Sequence, residues 1–443
     1  MKLSTFKGGI HPYEGKELSK DRPVREISVG GEYVFPVQQH IGAPAVPAVK
    51  PGERVLVGQT IAQAGGFVSA NVISSVSGKV KLIEPRLTAN GAYVNSIVIE
   101  NDEKYETVPG YGQKRDYKAL DAKEIRDAIR AAGIVGMGGA GFPTDVKLTP
   151  KDPASIDYVI VNGAECEPYL TSDYREMMEH PEEVVRGLEV ELSLFENAKG
   201  IIGIENNKRD AIELFTKLVQ GHERISVHPL KTKYPQGGER TLIYACTKRQ
   251  INSSMLPADA GCVVSNIDTV LSVKRAVCDG LPLITRTITV TGDCVKEPCN
   301  FHIRCGASYN ALLEAAGGLV KEAAKMISGG PMMGQALYST DIPVTKTSSA
   351  LTVLSRDDAY DKKESACIRC GKCADVCPGG VVPQILMKYA LAGDWEGYEA
   401  AGGMECCECG CCTYICPAGR KLTQAFKTAR RNVMAARRRK GGK

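Results

Sequence analysis

Short apolar runs separated by turn residues fill the first quarter of the chain. Residues 49–62 hold β-prone runs beside Gly and Pro, and residues 75–80 hold a turn at Gly78 and a second run. The pattern predicts that residues 1–105 form a β module. His11 lies in a turn-rich lead, and a single His in such a place is expected to be structural.

Helical spacing first appears near residue 121. Asp121 can act as an N-cap, with Glu124 three residues later as in a capping box. Apolar residues then recur at 125, 128, 129 and 132, which places them on one helix face. Gly133 can end this predicted helix.

Beyond this helix, buried strands and helices are predicted to alternate. Short apolar runs at 158–161, 201–204 and 224–229 are typical of strands, and helical segments are expected around 181–196 and 208–219. Such alternation favours an α/β layer with a mostly parallel sheet.

The last third of the chain is predicted to change fold class twice. Residues 285–350 are β-rich again, with a helix near 311–318 and a turn at 329–334. A charged linker at 357–364 follows. Residues 383–391 suit a short helix with Pro near its first turn, and residues 430–443 begin as a helix and end in basic residues.

Composition excludes several classes of protein. The chain has 443 residues, enough for three or four domains, and ordinary contents of apolar (43%) and charged (24%) residues. A net charge of +5 is too small to argue for nucleic-acid binding. No apolar run has the length of a membrane helix, and the N-terminus lacks the apolar core of a secretory signal. The predicted protein is soluble, or peripheral if it works at a membrane.

Ten of the 17 cysteines fall between residues 367 and 416. Both halves of this stretch contain C-x2-C-x2-C-x3-C-P, the spacing of bacterial ferredoxins with two [4Fe–4S] clusters, in which the fourth Cys of each motif ligates the other cluster. The predicted ligand sets are Cys367, Cys370, Cys373 and Cys416 for cluster 1, and Cys406, Cys409, Cys412 and Cys377 for cluster 2.

The alternatives to this cluster assignment are a zinc site and a disulfide framework. Zinc sites usually pair C-x2–4-C with a distant second pair, and disulfides would need an oxidising compartment. Neither fits the spacing as well. Cys407 and Cys411 fall outside the pattern and are expected to be bystanders, and the remaining seven cysteines are expected to be mostly structural.

A glycine-rich loop covers residues 136–147. It contains GxGxxG, but a helix precedes it and Pro143 interrupts the segment after it, so it is not an ordinary Rossmann turn. Bare backbone N–H groups can approach a phosphate or a flat ring, and Lys147 could add a charge. A plain glycine turn with a solvated Lys remains an equal alternative.

Three polar turns lie later in the same region, at residues 162–168, 234–240 and 265–269. The first comes directly after a buried strand, at the carboxyl edge of a sheet where α/β folds bind ligands. With the glycine loop, these turns appear in the order found in the NADH-binding flavoprotein subunit of respiratory complex I, and the region resembles that family.

The resemblance implies FMN and NADH in one cavity of a Rossmann-like fold. FMN contacts carried over from the family are Gly136, Gly138, Gly139, Lys147, Asn162, Glu165, Gly237, Asn266 and Thr269. NADH contacts carried over are Phe142, Glu167 and Glu239. No catalytic side chain is implied, because the flavin carries the hydride chemistry. Ala164, Gly238 and Ser265 depart from the family pattern.

The flanking regions extend the resemblance to nearly the whole chain. Residues 1–105 resemble a biotinyl/lipoyl-type barrel-sandwich, although residues 65–74 offer no Lys for a prosthetic group, so a docking or structural role is expected. The predicted domains are 1–105 barrel-sandwich, 106–284 Rossmann-like FMN/NADH domain, 285–350 β-grasp of the SLBB type, 351–430 helical two-[4Fe–4S] ferredoxin-like domain, and 431–443 basic tail.

This multidomain α/β and β arrangement resembles the RnfC family, the NAD-facing subunits of the Rnf complexes, which are ion-translocating ferredoxin:NAD oxidoreductases. The resemblance implies a subunit on the cytoplasmic side of the cell membrane that passes electrons between two [4Fe–4S] clusters, FMN and NAD(H). Implied partners are the membrane and Fe–S subunits of the complex, with ferredoxin reached indirectly. Two rivals stay open: a cobalamin-reductase-type enzyme, which would begin near the glycine loop, and a non-catalytic electron relay with a degenerate flavin site.

Overall fold

The computed structural model of the protein describes residues 3–357 and 361–441. Parts of the predicted linker (358–360) and of the predicted basic tail (442–443) therefore lie outside the described residues. Within the described ranges, no helix combines the length and the apolar character needed to cross a bilayer.

Two small sheets form the N-terminal β module. One has the strand order β2-β8-β7-β4 and the other β3-β5-β6. Alternate residues of a strand point to the same face, so Tyr33, Phe35 and Ile61 are buried in a shared core. The strands are β2 (Glu32–Pro36), β3 (Val46–Pro47), β4 (Arg54–Val55), β5 (Thr60–Gln63), β6 (Val72–Ile73), β7 (Gly78–Leu87) and β8 (Tyr93–Asn101).

The central domain is built on a parallel sheet with the order β11-β10-β9-β12. Its strands are continuous apolar runs because helices cover both faces. The strands are β9 (Tyr158–Gly163), β10 (Lys199–Glu205), β11 (Ile225–Leu230) and β12 (Cys262–Asn266). The helices are α1 (Ala122–Ala131), α2 (Thr144–Lys147), α3 (Ser172–Glu179), α4 (Pro181–Leu192), α5 (Arg209–Leu218), α6 (Glu239–Thr247) and α7 (Ile267–Asp279).

Helix α1 has the ends that the sequence predicts. The Asp121 carboxylate accepts from Glu124 N, and the Glu124 carboxylate accepts from Asp121 N, both at 2.8 Å. Ile125 and Ile129 are buried against the central core. Gly133 follows the helix with a φ of 65°.

A second mixed sheet has the order β1-β14-β13-β17-β15-β16. Its core is continuous with that of the N-terminal module, since Phe35 and Phe301 belong to one buried cluster. The N-terminal strand β1 pairs in parallel with β14. The elements are β1 (Arg25–Glu26), β13 (Thr285–Thr291), β14 (Cys299–Arg304), α8 (Tyr309–Ala315), β15 (Lys325–Ser328), β16 (Gln335–Leu337) and β17 (Ala350–Leu354).

The cysteine-rich segment folds into four helices of four to ten residues and one of 20 residues around a small core. Leu386, Tyr398 and Phe426 are fully buried in it, together with several of the cysteines. The helices are α9 (Lys372–Asp375), α10 (Pro383–Ala392), α11 (Trp395–Ala400), α12 (Cys411–Ile415) and α13 (Leu422–Gly441).

An extended N-terminal arm, residues 3–10, joins the central and cysteine-rich domains. Ser4 N donates to Pro229 O at 2.9 Å on the central sheet. Gly9 N donates to Val376 O at 2.9 Å, beside Cys377. Ile10 and Tyr234 exchange backbone hydrogen bonds of 2.8 and 2.9 Å. The arm therefore bridges two domains that are far apart in sequence.

Candidate functional site

The glycine loop lies against the N-terminus of α7. Met137 N donates to Thr269 Oγ1 at 2.9 Å, which fastens the loop to the helix. Gly138 has a φ of 77°, and a methyl group there would come within 2.9 Å of Asn266 Nδ2. The structure thus brings together Gly138, Asn266 and Thr269, three predicted flavin contacts. Bare loop amides beside a helix N-terminus suit a phosphate.

Asn266 is held by two neighbours. Its Oδ1 accepts from Asp268 N at 2.9 Å, capping α7, and its Nδ2 donates to Asp173 Oδ2 at 2.7 Å. Burial raises the pKa of the Asp173 carboxyl well above its ordinary value, with Glu165 adding to the effect. Asp173 thus orients a predicted phosphate contact, a role that its place in the sequence did not reveal.

Lys147 lies beneath the loop. Its ammonium donates to Val264 O at 2.8 Å, and a methyl group on Gly136 would come within 3.3 Å of it. Burial lowers the pKa of Lys147, while Glu239 and Glu191 oppose that shift. Glu191 is fully buried and accepts from Ser265 Oγ at 2.9 Å, and its Oε1 has no hydrogen-bond partner among the described residues. The lysine is therefore half-buried in a polar site, with its ammonium group held by the backbone of β12.

The turn after β9 and the turn before α6 meet at Asn162. Its Nδ2 donates to Gly237 O at 2.8 Å, and Gly237 N donates to Cys166 Sγ at 3.2 Å. In the same turn, Gln236 is fully buried, and neither polar atom of its side chain has a hydrogen-bond partner in the described residues. An amide left unpaired at such a position fits a site that a polar cofactor completes.

The two predicted glutamates of the 162–168 turn have different environments. Glu165 turns toward helix α3, where its Oε1 accepts from Asp173 N at 2.8 Å, and its Oε2 lies 3.7 Å from Lys16 Nζ. Burial raises the pKa of Glu165. The Lys16 contact, which comes from the N-terminal segment, has no signal in the sequence.

Glu167 ties the central domain to the second sheet. Its Oε1 accepts from Met332 N at 2.7 Å and from Met333 N at 3.1 Å. Burial raises the pKa of Glu167 to about 7, and the two amides partly oppose the shift. Of the other predicted NADH contacts, Phe142 is half-buried, and Glu239, the first residue of α6, is exposed.

Four cysteines line one cavity of about 220 Å³ in the C-terminal domain. They are the whole predicted set for cluster 1: Cys367, Cys370, Cys373 and Cys416. The first motif supplies three of them, and the end of α12 supplies the fourth. Thiols spread around a cavity with apolar neighbours such as Met387 suit a cubic cluster, which needs a ligand at each corner. These residues fit the group that the spacing predicts.

The second set is partly assembled. Cys377, Cys406 and Cys412 pack in the core of the C-terminal domain. Cys409 instead packs with Cys411 and Tyr234. In the part of the chain that the structure describes, no three Cys, His, Asp or Glu side chains form a ready-made site for a single metal ion.

Tyr234 connects the second set to the flavin region. Its hydroxyl donates to Cys409 O at 2.8 Å, and its carbonyl accepts from the buried Cys411 thiol at 3.8 Å. Three residues later in the same turn lies Gly237, hydrogen-bonded to Asn162. One short turn therefore spans the distance between a predicted cluster ligand and predicted flavin contacts.

Four family models match successive parts of the chain. They are the RnfC barrel sandwich hybrid domain (residues 4–104), the Nuo51 FMN-binding domain (129–275), the SLBB domain (287–336) and the 4Fe-4S binding domain (360–382). Their order is the one that the sequence predicts, and the expected fold class is confirmed.

Curated relatives match most of the chain. A subunit of the proton-translocating ferredoxin:NAD(+) oxidoreductase complex of Clostridium ljungdahlii is 44% identical, covering 87% of this chain and 84% of its own length. Its Na(+)-translocating counterpart from Acetobacterium woodii is 43% identical over 99% of both. An NAD+-reducing [NiFe]-hydrogenase structure, 17% identical, covers 72% of this chain and 62% of its own, with a TM-score of 0.49.

Proposed function

This chain belongs to the RnfC family of subunits of ion-translocating ferredoxin:NAD+ oxidoreductase complexes, and we propose that it passes electrons between two [4Fe–4S] clusters, FMN and NAD(H). The observation that carries this proposal is the single turn that joins the two cofactor regions. Tyr234 contacts Cys409, and Gly237 contacts Asn162. Single-electron and hydride chemistry need such adjacency.

FMN binding is proposed for the nine residues named from the sequence. Gly136, Gly138 and Gly139 supply bare backbone, and Asn266 and Thr269 mark the start of α7, whose dipole favours a phosphate. Lys147 contributes a positive charge beneath the loop. Asn162, Glu165 and Gly237 complete the set at the edge of the sheet. When bound, the flavin supplies exchange between single electrons and a hydride.

NADH is proposed to bind on the outer side of the same site. Phe142 offers an aromatic surface at the end of the loop, and Glu239 is exposed at the start of α6. Glu167 closes the third side through its contact with Met332 and Met333. The side chains bind and orient the nucleotide, and none of them transfers a proton in this proposal.

The cysteine sets are proposed as ligands of the two clusters in the pairing predicted from the motif. Cluster 2 would then lie on the Tyr234 side, and cluster 1 in the open cavity lined by Cys367 and Cys370. We also propose domain limits at residues 105, 284, 350 and 430. The proposal further includes peripheral attachment at the cytoplasmic side of the cell membrane, and electron exchange with ferredoxin through another protein of the complex.

The two rivals make different predictions. A cobalamin-reductase-type enzyme is disfavoured by the N-terminal match at residues 4–104. In a relay with a degenerate flavin site, the region around Lys147 would hold no ligand. The buried, unpaired amide of Gln236 instead supports an occupied site.

An anaerobic UV–visible spectrum of the purified chain, recorded before and after NADH addition, tests the proposal. We expect flavin absorbance that bleaches with NADH, together with partial loss of the broad iron–sulfur absorbance. Cluster absorbance with no flavin, or with flavin that ignores NADH, would contradict the dehydrogenase role and leave an electron relay.

A further inference from the structure

Exposed apolar side chains surround the mouth of the cysteine-lined cavity. Ile368 and Leu391 both line this cavity and are 67% and 65% exposed. Ile385 lies on the same helix as Leu391 and is 44% exposed. An apolar cluster of this kind on a surface marks an interaction site more often than isolated apolar residues do. We call the residues Ile368, Arg369, Lys372, Ile385, Lys388 and Leu391 the cavity face.

The cavity face lies where electrons can leave the domain. Cys367 and Cys370 are exposed, whereas Cys412 is buried and Cys409 packs toward Tyr234 and the central domain. No cysteine of the second set is exposed, whereas two of the first set are, so the first set is the more accessible of the two. A redox partner that cannot reach the second set can reach the first one.

Positive charge lies beside the same apolar residues, since Lys388 lines the cavity and Arg369 and Lys372 directly adjoin lining residues in the chain. Within residues 366–392 the charged side chains are Arg369, Lys372, Lys388 and one carboxylate, Asp375. All four are exposed, and in the described part of the chain none of the three cations forms an ion pair. Nearby, Arg420 is neutralised by Glu364 at 2.7 Å. The free charges of the face are thus mainly positive.

We propose that the cavity face docks an iron–sulfur subunit of the complex whose own cluster is surrounded by acidic side chains. This inference rests on the proposed function, because it assumes that the cavity holds a cluster. Apolar residues at the centre would exclude water, and Arg369, Lys372 and Lys388 at the edge would attract and orient the acidic partner. Electron-transfer encounters typically use small interfaces of this type, and charge at the edge sets their salt dependence.

Site-directed photo-crosslinking in the intact complex tests the location. Leu391→p-benzoylphenylalanine places the probe on the face, and Leu256→p-benzoylphenylalanine, on a residue 68% exposed in the central domain, is the matched control. We expect a crosslink from position 391 to an Asp- and Glu-rich segment of a subunit that has its own cysteine cluster motif. No crosslink at 391, or a crosslink to a subunit without such a motif, overturns the proposal.

Charge reversal tests the chemistry. We expect Lys388→Glu to lower the fraction of the chain retained in the complex at 150 mM salt about tenfold, whereas Lys217→Glu, at an exposed position of α5, leaves it unchanged. Iron content and the EPR spectrum of each variant show whether the clusters are intact. Equal retention of both variants overturns the acidic-partner assignment.

Failure of the docking proposal can be told apart from failure of the proposed function. NADH-dependent bleaching of the unsubstituted chain reports only on function. Bleaching with no position-391 crosslink rejects the docking face alone. A crosslink of the expected kind without bleaching rejects the NADH reaction and retains the face. A chain that neither bleaches nor assembles with other subunits rejects both.

Discussion

At the level of single residues, the fold places several polar side chains in environments that the sequence did not reveal. Glu167, expected to line the NADH side, accepts two amides from the turn at Met332 and Met333. Gln236, which the sequence did not single out, is buried with both amide atoms unpaired. A buried polar atom costs free energy unless it is hydrogen-bonded. The environment of each of these side chains can therefore be tested by substituting it and measuring stability.

Glu167→Gln should change how stability depends on pH. Burial raises the pKa of Glu167 to about 7 in the folded chain. The protonated Glu167 side chain therefore contributes fully to the free energy of unfolding below the ordinary carboxyl pKa. This contribution is lost as the pH rises through 7. Gln keeps an acceptor for the two amides but does not titrate. We expect the free energy of unfolding of the variant, measured by urea denaturation relative to the unsubstituted chain, to be about 2 kcal/mol higher at pH 8.5 than at pH 5.

Glu213→Gln is the control for that experiment, since Glu213 is exposed on α5. Its difference from the unsubstituted chain should stay flat over the same pH range. A flat difference for Glu167→Gln as well would show that the buried carboxyl does not determine the pH dependence.

Gln236→Leu should separate flavin binding from folding. The Gln236 amide has no partner in the described protein, so Leu removes no hydrogen bond and relieves a buried polar group. We expect the flavin-free variant to be at least as stable as the unsubstituted chain, while flavin content falls at least tenfold, measured by absorbance after desalting.

Gln39→Leu provides the contrast. Gln39 is buried too, but it donates to Pro36 O at 3.0 Å and accepts from Lys346 N at 3.1 Å. Losing these bonds should destabilise the flavin-free chain by about 1–3 kcal/mol. If Gln236→Leu destabilises it equally and flavin content is unchanged, Gln236 is a structural residue.

At the level of helices, strands and loops, local sequence patterns predicted several helices correctly, but they did not predict which residues those helices contact. The capping box of α1 and the helix at Pro383–Ala392 are confirmed. The segment expected at 181–196 is a helix that ends at Leu192. Helices α3, α6 and α7 border the predicted flavin region and were not predicted from the sequence.

Two alanine substitutions in the glycine loop test the loop as a unit. Gly138→Ala places a methyl 2.9 Å from Asn266 Nδ2 at a positive φ, whereas at Gly139 a methyl meets nothing within 4 Å. We expect Gly138→Ala to destabilise the flavin-free protein by about 1–2 kcal/mol and Gly139→Ala to leave it nearly unchanged. Thermal unfolding of the flavin-free chains measures this difference.

Flavin content then distinguishes the roles of the two glycines. If the loop backbone approaches the cofactor closely, both variants should lose flavin, and only Gly138→Ala should also lose stability. Full flavin content in Gly139→Ala would contradict the proposed contact at Gly139.

Across the whole molecule, the N-terminal arm holds two cofactor domains together. Residues 3–10 contact the central sheet at Pro229, the cysteine-rich domain at Val376 and the connecting turn at Tyr234. Lys233 Nζ also donates to Phe6 O at 2.5 Å and to Gly8 O at 2.8 Å. The spacing between the two cofactor regions therefore depends on a segment that belongs to neither.

Gly9→Ala should loosen this arrangement. Gly9 has a φ of 84°, and a methyl group there would come within 2.8 Å of Tyr234 O. Because the Tyr234 oxygen belongs to the backbone, it cannot rotate away from the added methyl group as a flexible side chain could. We therefore expect the arm to detach. We expect faster hydrogen exchange in residues 406–416 and no change in α1. Gly31→Ala, with a φ of 83° and nothing within 4 Å, carries the same backbone strain without the collision. Equal exchange in both variants would contradict the bridging role.

Features that depend on short-range spacing could be predicted from the sequence alone. The predicted cluster ligands lie three or four residues apart within a motif, so the spacing in residues 367–377 predicts them before any fold is known. Helix periods, caps and buried strands are local in the same way. The order of the domains followed from a resemblance that extends over nearly the whole chain, and the comparisons confirm it.

The burial of polar groups and the partners they find could be read only from the folded chain. The contact of Lys16 with Glu165 crosses about 150 residues, and that of Tyr234 with Cys409 crosses 175. Pairing of this kind depends on where separate segments pack, because burial removes water as a competing partner. The sequence therefore identified the cofactor chemistry, and packing determined which polar side chains pair around the predicted flavin site and which cysteines are exposed.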